Sequence, residues 1–218
     1  YKRQLRTFYS CLYRTLLFPR EFYEFDAQGK PVYYSPYNGK IQDGYMYTDN
    51  GFWDTFRAVH PLFTLLYPEV SERVTQSILN AYDESGFMPE WASPGHRECM
   101  IGNNSISLLT DAWMKGIRTI CPEKALEAMI HQTEARHPGI SSVGRDGFGY
   151  YDRLGYVPYP EVHEATAKTL EYAYADWCVA RFADSIGRKE IADTYYRKAL
   201  NYRNLYYPDY GFMWAKDA

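Results

Sequence analysis

The apolar positions of this chain fall mostly at helical spacing. Leu5, Phe8, Leu12 and Leu16 recur every three or four residues, with Tyr9 and Tyr13 widening the stripe, and predict a helix over Lys2–Leu17. Phe18-Pro19 ends it. Phe52, Phe56, Val59, Phe63 and Leu66 predict a second helix over Trp53–Leu66, with a kink or break at Pro61. Val70, Val74, Ile78, Leu79 and Tyr82 predict a third, opened by Pro68 and stopped by Gly86. Ile106, Leu109, Trp113 and Ile117 mark a fourth over Ser105–Gly116, and Pro122 opens a fifth through Leu126, Met129 and Ile130. The longest runs from Val162 to Ile186, with Leu170, Ala173, Trp177, Ala180 and Ala183 on one face. Gly187 separates it from a seventh over Lys189–Leu205, after which Pro208 and Gly211 predict a turn.

The stretches between change character. Residues 26–49 are punctuated by Gly and Pro, with a turn expected at Asn38-Gly39. Val32–Tyr34 and Tyr45–Tyr47 predict two short strands, a small β-hairpin excursion within residues 30–48. Residues 87–103 hold Pro89, Pro94, Gly95 and Gly102, which predicts a shaped loop. Residues 137–160 read as another loop. Seven helices and no βαβ alternation give a mainly α class of antiparallel helix pairs packed side by side. The long loops then fall on one rim, where binding residues usually sit. No fixed repeat period argues for a helical-repeat scaffold.

Charge and composition narrow the function. The formal net charge of -3, from 24 Lys and Arg against 27 Asp and Glu, has no basic stripe, so nucleic acid is not an expected partner. Apolar runs such as Pro61–Tyr67 are too short to cross a membrane, and no membrane partner is expected. Tyr1 opens directly in an amphipathic segment with no signal peptide or initiator Met, so the chain reads as an excised piece of undecided compartment. Cys11, Cys99, Cys121 and Cys178 are widely spaced and are expected to be free thiols, mostly buried. The 23 Tyr stand out, because each offers a ring to pack and a hydroxyl to hydrogen-bond. They suit seams between helices or the lining of a polar cleft.

Two dense patches carry the candidate chemistry, Tyr47–Pro61 and Gly86–Gly102. Each sets Trp, carboxylate, Arg and His at a loop-helix boundary, and a helical segment between them lets them meet. Flat rings beside carboxylates and an Arg fork suit a ligand with many hydroxyls and an apolar ring face, such as a sugar. Asp54 and Arg57 share a helical face, either as a local ion pair or as a hydroxyl-binding carboxylate held by its Arg. Trp53 and Trp91 either pack between helices or stack on a pyranose. Glu90 and Glu98 flank the second Trp, as solvated loop carboxylates or as candidate catalytic acids. His60 reads as a satisfied core histidine. His163, His131 and His137 lack metal-ligand spacing, and no metal site is expected within the chain.

Longer strings carry a resemblance. Trp53-Asp54-Thr55-Phe56-Arg57-Ala58-Val59-His60-Pro61-Leu62, Met88-Pro89-Glu90-Trp91-Ala92-Ser93-Pro94-Gly95-His96-Arg97 and Cys99-Met100-Ile101-Gly102 resemble glycoside hydrolase family 92. So do Thr169–Cys178 and Asn201–Leu205. The resemblance implies a calcium-dependent, inverting, exo-acting α-mannosidase, in many members specific for α-1,2 linkages. It implies an N-terminal β-sandwich followed by an (α/α)6 toroid, of which residues 1–218 form about the first half. It implies three partners: a mannose-containing glycan, the remainder of the catalytic domain and the sandwich. A secreted or periplasmic location follows with it. The family's catalytic acid and bases lie in Glu-Gly-Asn-Ala-Trp-like and Asn-Asp-Asp-like motifs, and neither string occurs here. Acid, base and most calcium ligands are therefore expected beyond Ala218, with Glu98 and Glu90 as the carboxylates within the chain to test. Trp53, Asp54, Arg57, Trp91 and Glu98 are the expected substrate-binding residues. A non-catalytic helical module that binds glycan or protein is the competing reading.

Overall fold

The computed structural model describes all 218 residues. Nine α-helices and four small antiparallel sheets make it mainly helical. The helices are α1 (Lys2–Thr15), α2 (Phe52–Thr55), α3 (Val59–Leu66), α4 (Pro68–Ser85), α5 (Asn104–Met114), α6 (Pro122–Glu134), α7 (Phe148–Leu154), α8 (Ala165–Ser185) and α9 (Lys189–Lys198). A 3-10 turn follows at Asn201–Leu205.

The core forms where α4, α5, α6, α8 and α9 meet. Val74, Ile78 and Leu79 of α4 face Ile106 and Leu109 of α5, with Leu126 and Met129 of α6 behind them. Val179, Phe182 and Ala183 of α8 and Tyr195 of α9 close the cluster. Each large apolar side chain taken from water contributes about 1.5–3 kcal/mol. α8 is buried on more than one face, with Thr169, Tyr172, Asp176 and Ala180 inside as well as Ala173 and Ala183. It is the central helix, and its predicted face residue Trp177 is instead exposed. A second, smaller cluster joins Tyr151 of α7 to Val157, Val162 and Tyr172.

The structure corrects several boundaries. The helix expected over Trp53–Leu66 is two helices, broken at Phe56–Ala58, because Pro61 sits in the first turn of α3 and cannot continue α2. The loop expected over 137–160 contains α7, a helix of 7 residues between Gly147 and Gly155. It is too short for periodicity to show, and its Tyr151 hydroxyl donates to Asp176 at 2.8 Å. The helix expected over Lys189–Leu205 ends at Lys198. Leu205 is buried, whereas Leu200 is exposed.

The strands also differ in pairing. Val32–Tyr34 does form a strand, β3 (Pro31–Tyr34), but it pairs with β4 (Ile41–Asp43) and with β2 (Glu24–Phe25). The strand expected at Tyr45–Tyr47 lies at Tyr47–Thr48 as β5, antiparallel to β1 (Arg20–Glu21). Asn50–Gly51 (β6) pairs with Trp91–Ala92 (β7), and a hairpin of β8 (Tyr206–Tyr207) and β9 (Phe212–Met213) ends the chain. All four cysteines are free, but Cys11, Cys99 and Cys121 are exposed and Cys178 alone is buried. The first two sit on an uncovered helix and a rim loop, where no neighbour packs over them.

Candidate functional site

The two patches meet through backbone. Asn50 pairs with Ala92 and Gly51 with Trp91, so the β6–β7 ladder ties the first patch to the second. Phe52 continues the link, donating its N–H to the Glu90 carbonyl at 3.1 Å. Gly51 is required here by space. A Cβ at this position would lie 2.3 Å from the Trp91 ring, so the indole can lie on the strand only where no side chain intervenes.

Immediately after this ladder the chain turns into α2, 4 residues long. So short a helix is not stable alone, and its placement comes from tertiary contacts. One side of it faces a cavity of about 390 Å³, lined by Asp54, Thr55, Asn50, Asp49, Arg20, Trp91 and neighbouring residues. Asp54 and Trp91 thus share one cavity. Arg20 pairs with Asp49, whose second oxygen accepts from the Ser93 hydroxyl at 2.7 Å.

The amide of Asn50 is oriented from behind. Burial pushes the pKa of His60 down to about 3, so the ring is neutral at ordinary pH. Its Nε2 lies 3.0 Å from Asn50 Nδ2 and accepts. Asn50 Oδ1 is then left to accept, and the Thr55 hydroxyl lies 3.0 Å from it. His60 is buried as expected from the sequence, but it is not fully satisfied: Nε2 fixes a cavity side chain, whereas the buried Nδ1 has no hydrogen-bond partner.

The other side of α2 is docked on α8. Trp53 donates its indole N–H to Glu171 at 3.0 Å. The Arg57 guanidinium lies over the Trp53 ring at 4.6 Å and the Phe56 ring at 4.8 Å. Its Nη2 is 3.8 Å from Glu171, so Arg57 pairs with α8 and not with Asp54. A local Asp54–Arg57 ion pair does not form. Phe56 packs on Tyr174, one turn beyond Glu171, at 5.7 Å between ring centres.

Glu98 stands apart from Asp54. It lines a second cavity of about 220 Å³ with Met100, Gly102, Glu164, Lys168 and Tyr172. Its carboxylate accepts from Ser141. Glu90 is 1% exposed and lines neither cavity. It accepts the Asn104 N–H at 2.7 Å and the Ser105 hydroxyl and Gln132 amide at 3.3 Å each. It therefore caps the start of α5 from a distance, satisfying a helix-end donor. Burial raises its pKa to about 8 against these donors, which act to lower it. It has the pKa of an acid at neutral pH without access to a substrate oxygen.

Sequence reasoning missed two groups. Glu171 lies 118 residues from Trp53, and only the fold brings them together. The second is a buried pair beneath the rim. Arg145 lies 2.7 Å from Asp176, both almost without exposure. Arg145 also donates to Asn103 Oδ1 at 2.7 Å and to the Tyr172 carbonyl at 3.1 Å. Asp176 fell inside a family-like string, but nothing in its spacing pointed to a partner in a distant loop.

An open cavity with a flat indole, carboxylates, an Arg and an oriented amide can hold a polyhydroxylated ring. Similar proteins bear on that chemistry. The model of the glycosyl hydrolase family 92 catalytic domain matches residues 1–218. The family GH92 inverting mannosidase BT2199 of Bacteroides thetaiotaomicron VPI-5482 is 84% identical, with a TM-score of 0.97 over 98% of this chain and 29% of its own. The family GH92 α-mannosidase BT3965 of the same species, solved in complex with mannoimidazole, is 32% identical, with a TM-score of 0.83 over 97% of this chain and 27% of its own. An uncharacterized secreted glycosidase of Arthroderma benhamiae is 24% identical over 223 residues, 97% of this chain and 24% of that protein. The chain thus spans less than a third of the length of each of these relatives. A family model that matches residues 1–218 shows that the chain belongs to glycosyl hydrolase family 92, as part of the catalytic domain.

Proposed function

We propose that this chain is part of an inverting exo-α-mannosidase that removes terminal α-linked mannose, α-1,2-linked by resemblance, from glycans. The observation that carries the reading is the shared cavity of Asp54 and Trp91 in a chain that matches the family model throughout. The 84% identity to a protein described as an inverting mannosidase supports the stereochemical course. In this reading Trp91 offers its ring to the apolar face of the sugar. Asp54, exposed on the cavity side, accepts hydrogen bonds from its hydroxyls. An inverting enzyme needs an acid and a base on carboxyl groups roughly 6.5–9.5 Å apart. Both are assigned to the rest of the catalytic domain. The helices reported above would form about half of an (α/α)6 toroid, completed by that remainder and preceded by a β-sandwich. A secreted or periplasmic setting fits the secreted relative.

Calcium dependence is part of the proposal for the whole enzyme. No three His, Cys, Asp or Glu side chains of this chain converge where they could hold a metal ion. In this reading the calcium ligands are assigned to the remainder of the catalytic domain, as the resemblance implies. The test uses the full-length parent with an aryl α-mannoside and an α-1,2-mannobiose. Hydrolysis with inversion, lost in chelator and restored by calcium, is the expected result. Asp54→Ala in the parent should lower kcat/KM by about 10-fold or more, because unmade hydrogen bonds to sugar hydroxyls cost about 1–3 kcal/mol each. Wild-type rates in a folded Asp54→Ala parent would remove Asp54 from the site. A parent that binds mannosides without cleaving them would favour a binding module.

A further inference from the structure

We infer that Glu171 is a positioning residue: from α8 it sets the place of α2, and through α2 the aim of Asp54 into the cavity. The inference deepens the proposed mannosidase reading and rests on it for the identity of the sugar. Its geometry stands on contacts already described. α2 is one turn long and carries Trp53, Asp54 and, just beyond it, Arg57. Trp53 and Arg57 both reach back to the same Glu171 oxygen, at 3.0 and 3.8 Å. Arg57 Nε also donates to the Trp53 carbonyl at 3.2 Å, so the guanidinium grips the turn by its backbone as well as by its ring. Asp54 is one residue from Trp53 and is exposed on the cavity side. Successive residues on a helix point about 100° apart, so fixing Trp53 fixes the direction of Asp54.

Glu171 also reaches the second patch. Gly102 has a φ of +93°, and a Cβ there would lie 3.1 Å from Glu171 Cβ and 3.3 Å from its Oε2. The backbone of the Cys99–Gly102 string therefore packs directly on this side chain. Gly102 lines the second cavity, the one that holds Glu98. One carboxylate thus sits between α2 and the loop of the second patch, with its side chain 19% exposed. Its two contacts on α2 are unequal. The indole N–H needs an acceptor that is partly shielded from water. The Arg57 pair is longer and its Arg is half exposed, so solvent weakens it. The indole contact is the one that matters more, and it predicts which substitution can rescue.

The experiment is a double-mutant cycle in the full-length parent, read with an aryl α-mannoside. Glu171→Ala should lower kcat/KM by about 10-fold, the effect of removing a shielded hydrogen bond to a charged acceptor. Most of it should appear in KM, because Asp54 is assigned to sugar binding. Glu171→Gln keeps an acceptor for the indole and should recover most of the loss. In an Asp54→Ala background, Glu171→Ala should have little further effect, because its action runs through Asp54. Additive losses, or no rescue by Gln, would overturn the inference. A second measurement needs no substrate. Fluorine NMR of 5-fluorotryptophan-labelled parent, with the Trp53 line assigned from Trp53→Phe, should show that line shift in Glu171→Ala and return toward its place in Glu171→Gln. A Trp53 line indifferent to Glu171 would overturn the anchor directly. If the wild-type parent cleaves no mannoside, the glycosidase reading fails, and the Trp53 line alone decides the positioning role.

Discussion

Single side chains near the cavity carry constraints that sequence density hinted at but could not assign. Gly51 is the clearest, because its neighbour is a ring and not open space. Gly51→Ala would force the added methyl against Trp91 at 2.3 Å, and the ring or the β6–β7 ladder must move. Overpacking of this kind costs about 1–3 kcal/mol. Urea unfolding of the variant should show that loss, together with a red-shifted tryptophan emission as Trp91 leaves its seat. Glu90 gives a pH test with a definite sign. Its folded pKa is raised from 4.5 to about 8. A raised pKa means that the folded chain holds a proton that the unfolded chain has released. The contribution is therefore fully present below pH 4.5 and is lost as pH rises through about 8. Glu90→Gln keeps the shape without the proton, so its stability should fall less than that of the wild type between pH 5 and pH 8. An equal loss of stability from pH 5 to pH 8 in the wild type and Glu90→Gln, measured by urea unfolding, would show that the three donors, not burial, govern this group. The sequence showed that Trp, Asp and Glu crowd these two patches. It could not show that Asp54 would face solvent, that Glu90 would be sealed under α5, or that Arg57 would choose Glu171. Those outcomes depend on contacts between residues far apart in the chain.

Helices were legible in proportion to their length and to how one-sided their burial is. α4 shows a Pro at its start, a Gly at its end and a regular apolar face between, and the sequence reading matches it from Pro68 to Ser85. α7 shows none of this in 7 residues, and α2 shows less in 4. Both are held by tertiary contacts that no local pattern reports. For α7 these include the Tyr151 hydroxyl on Asp176, part of the buried group that also holds Arg145, and the packing of Tyr151 on Val157, Val162 and Tyr172. Asp176→Ala removes one partner and leaves the guanidinium of Arg145 buried without its counter-charge. Breaking a buried pair in this way costs about 3–5 kcal/mol. The loss should be uneven across the molecule. Hydrogen exchange should rise first in α7 and in the adjoining segment through Arg145, because both are tied to α8 through this side chain. Uniform exchange across α4–α9 with no loss of stability would show that Arg145 is satisfied by Asn103 and the Tyr172 carbonyl alone.

At the scale of the whole chain, the distribution of exposed apolar surface is uneven. α1 has no buried residue, although its sequence has a regular apolar stripe. Phe8 is 59% exposed and Tyr13 66%, with Leu5 and Leu16 beside them. At the other end Tyr210 stacks on both Tyr207 and Trp214 in the open, with ring centres 5.3 and 5.4 Å apart. Phe212 beside them is 68% exposed. Burying a fully exposed large apolar side chain contributes about 1.5–3 kcal/mol, and each of these would gain the share of that set by its present exposure. Contiguous apolar patches of this kind mark surfaces made to be covered. This chain spans 29% of the length of its 84% identical relative, so the covering surface is proposed to belong to the remainder of the catalytic domain. Prepared by itself, the 218-residue chain should therefore self-associate. Light scattering should give a mass above 25.5 kDa that grows with concentration. Phe8→Glu with Leu16→Glu places charge in the α1 stripe and should reduce the mass without unfolding the core, since neither residue touches it. Association should fall and not vanish, because the aromatic stack at Tyr207–Trp214 remains. A monodisperse monomer at high concentration, unchanged by the two charges, would show that these faces do not adhere and that their cover contributes little to assembly of the full domain.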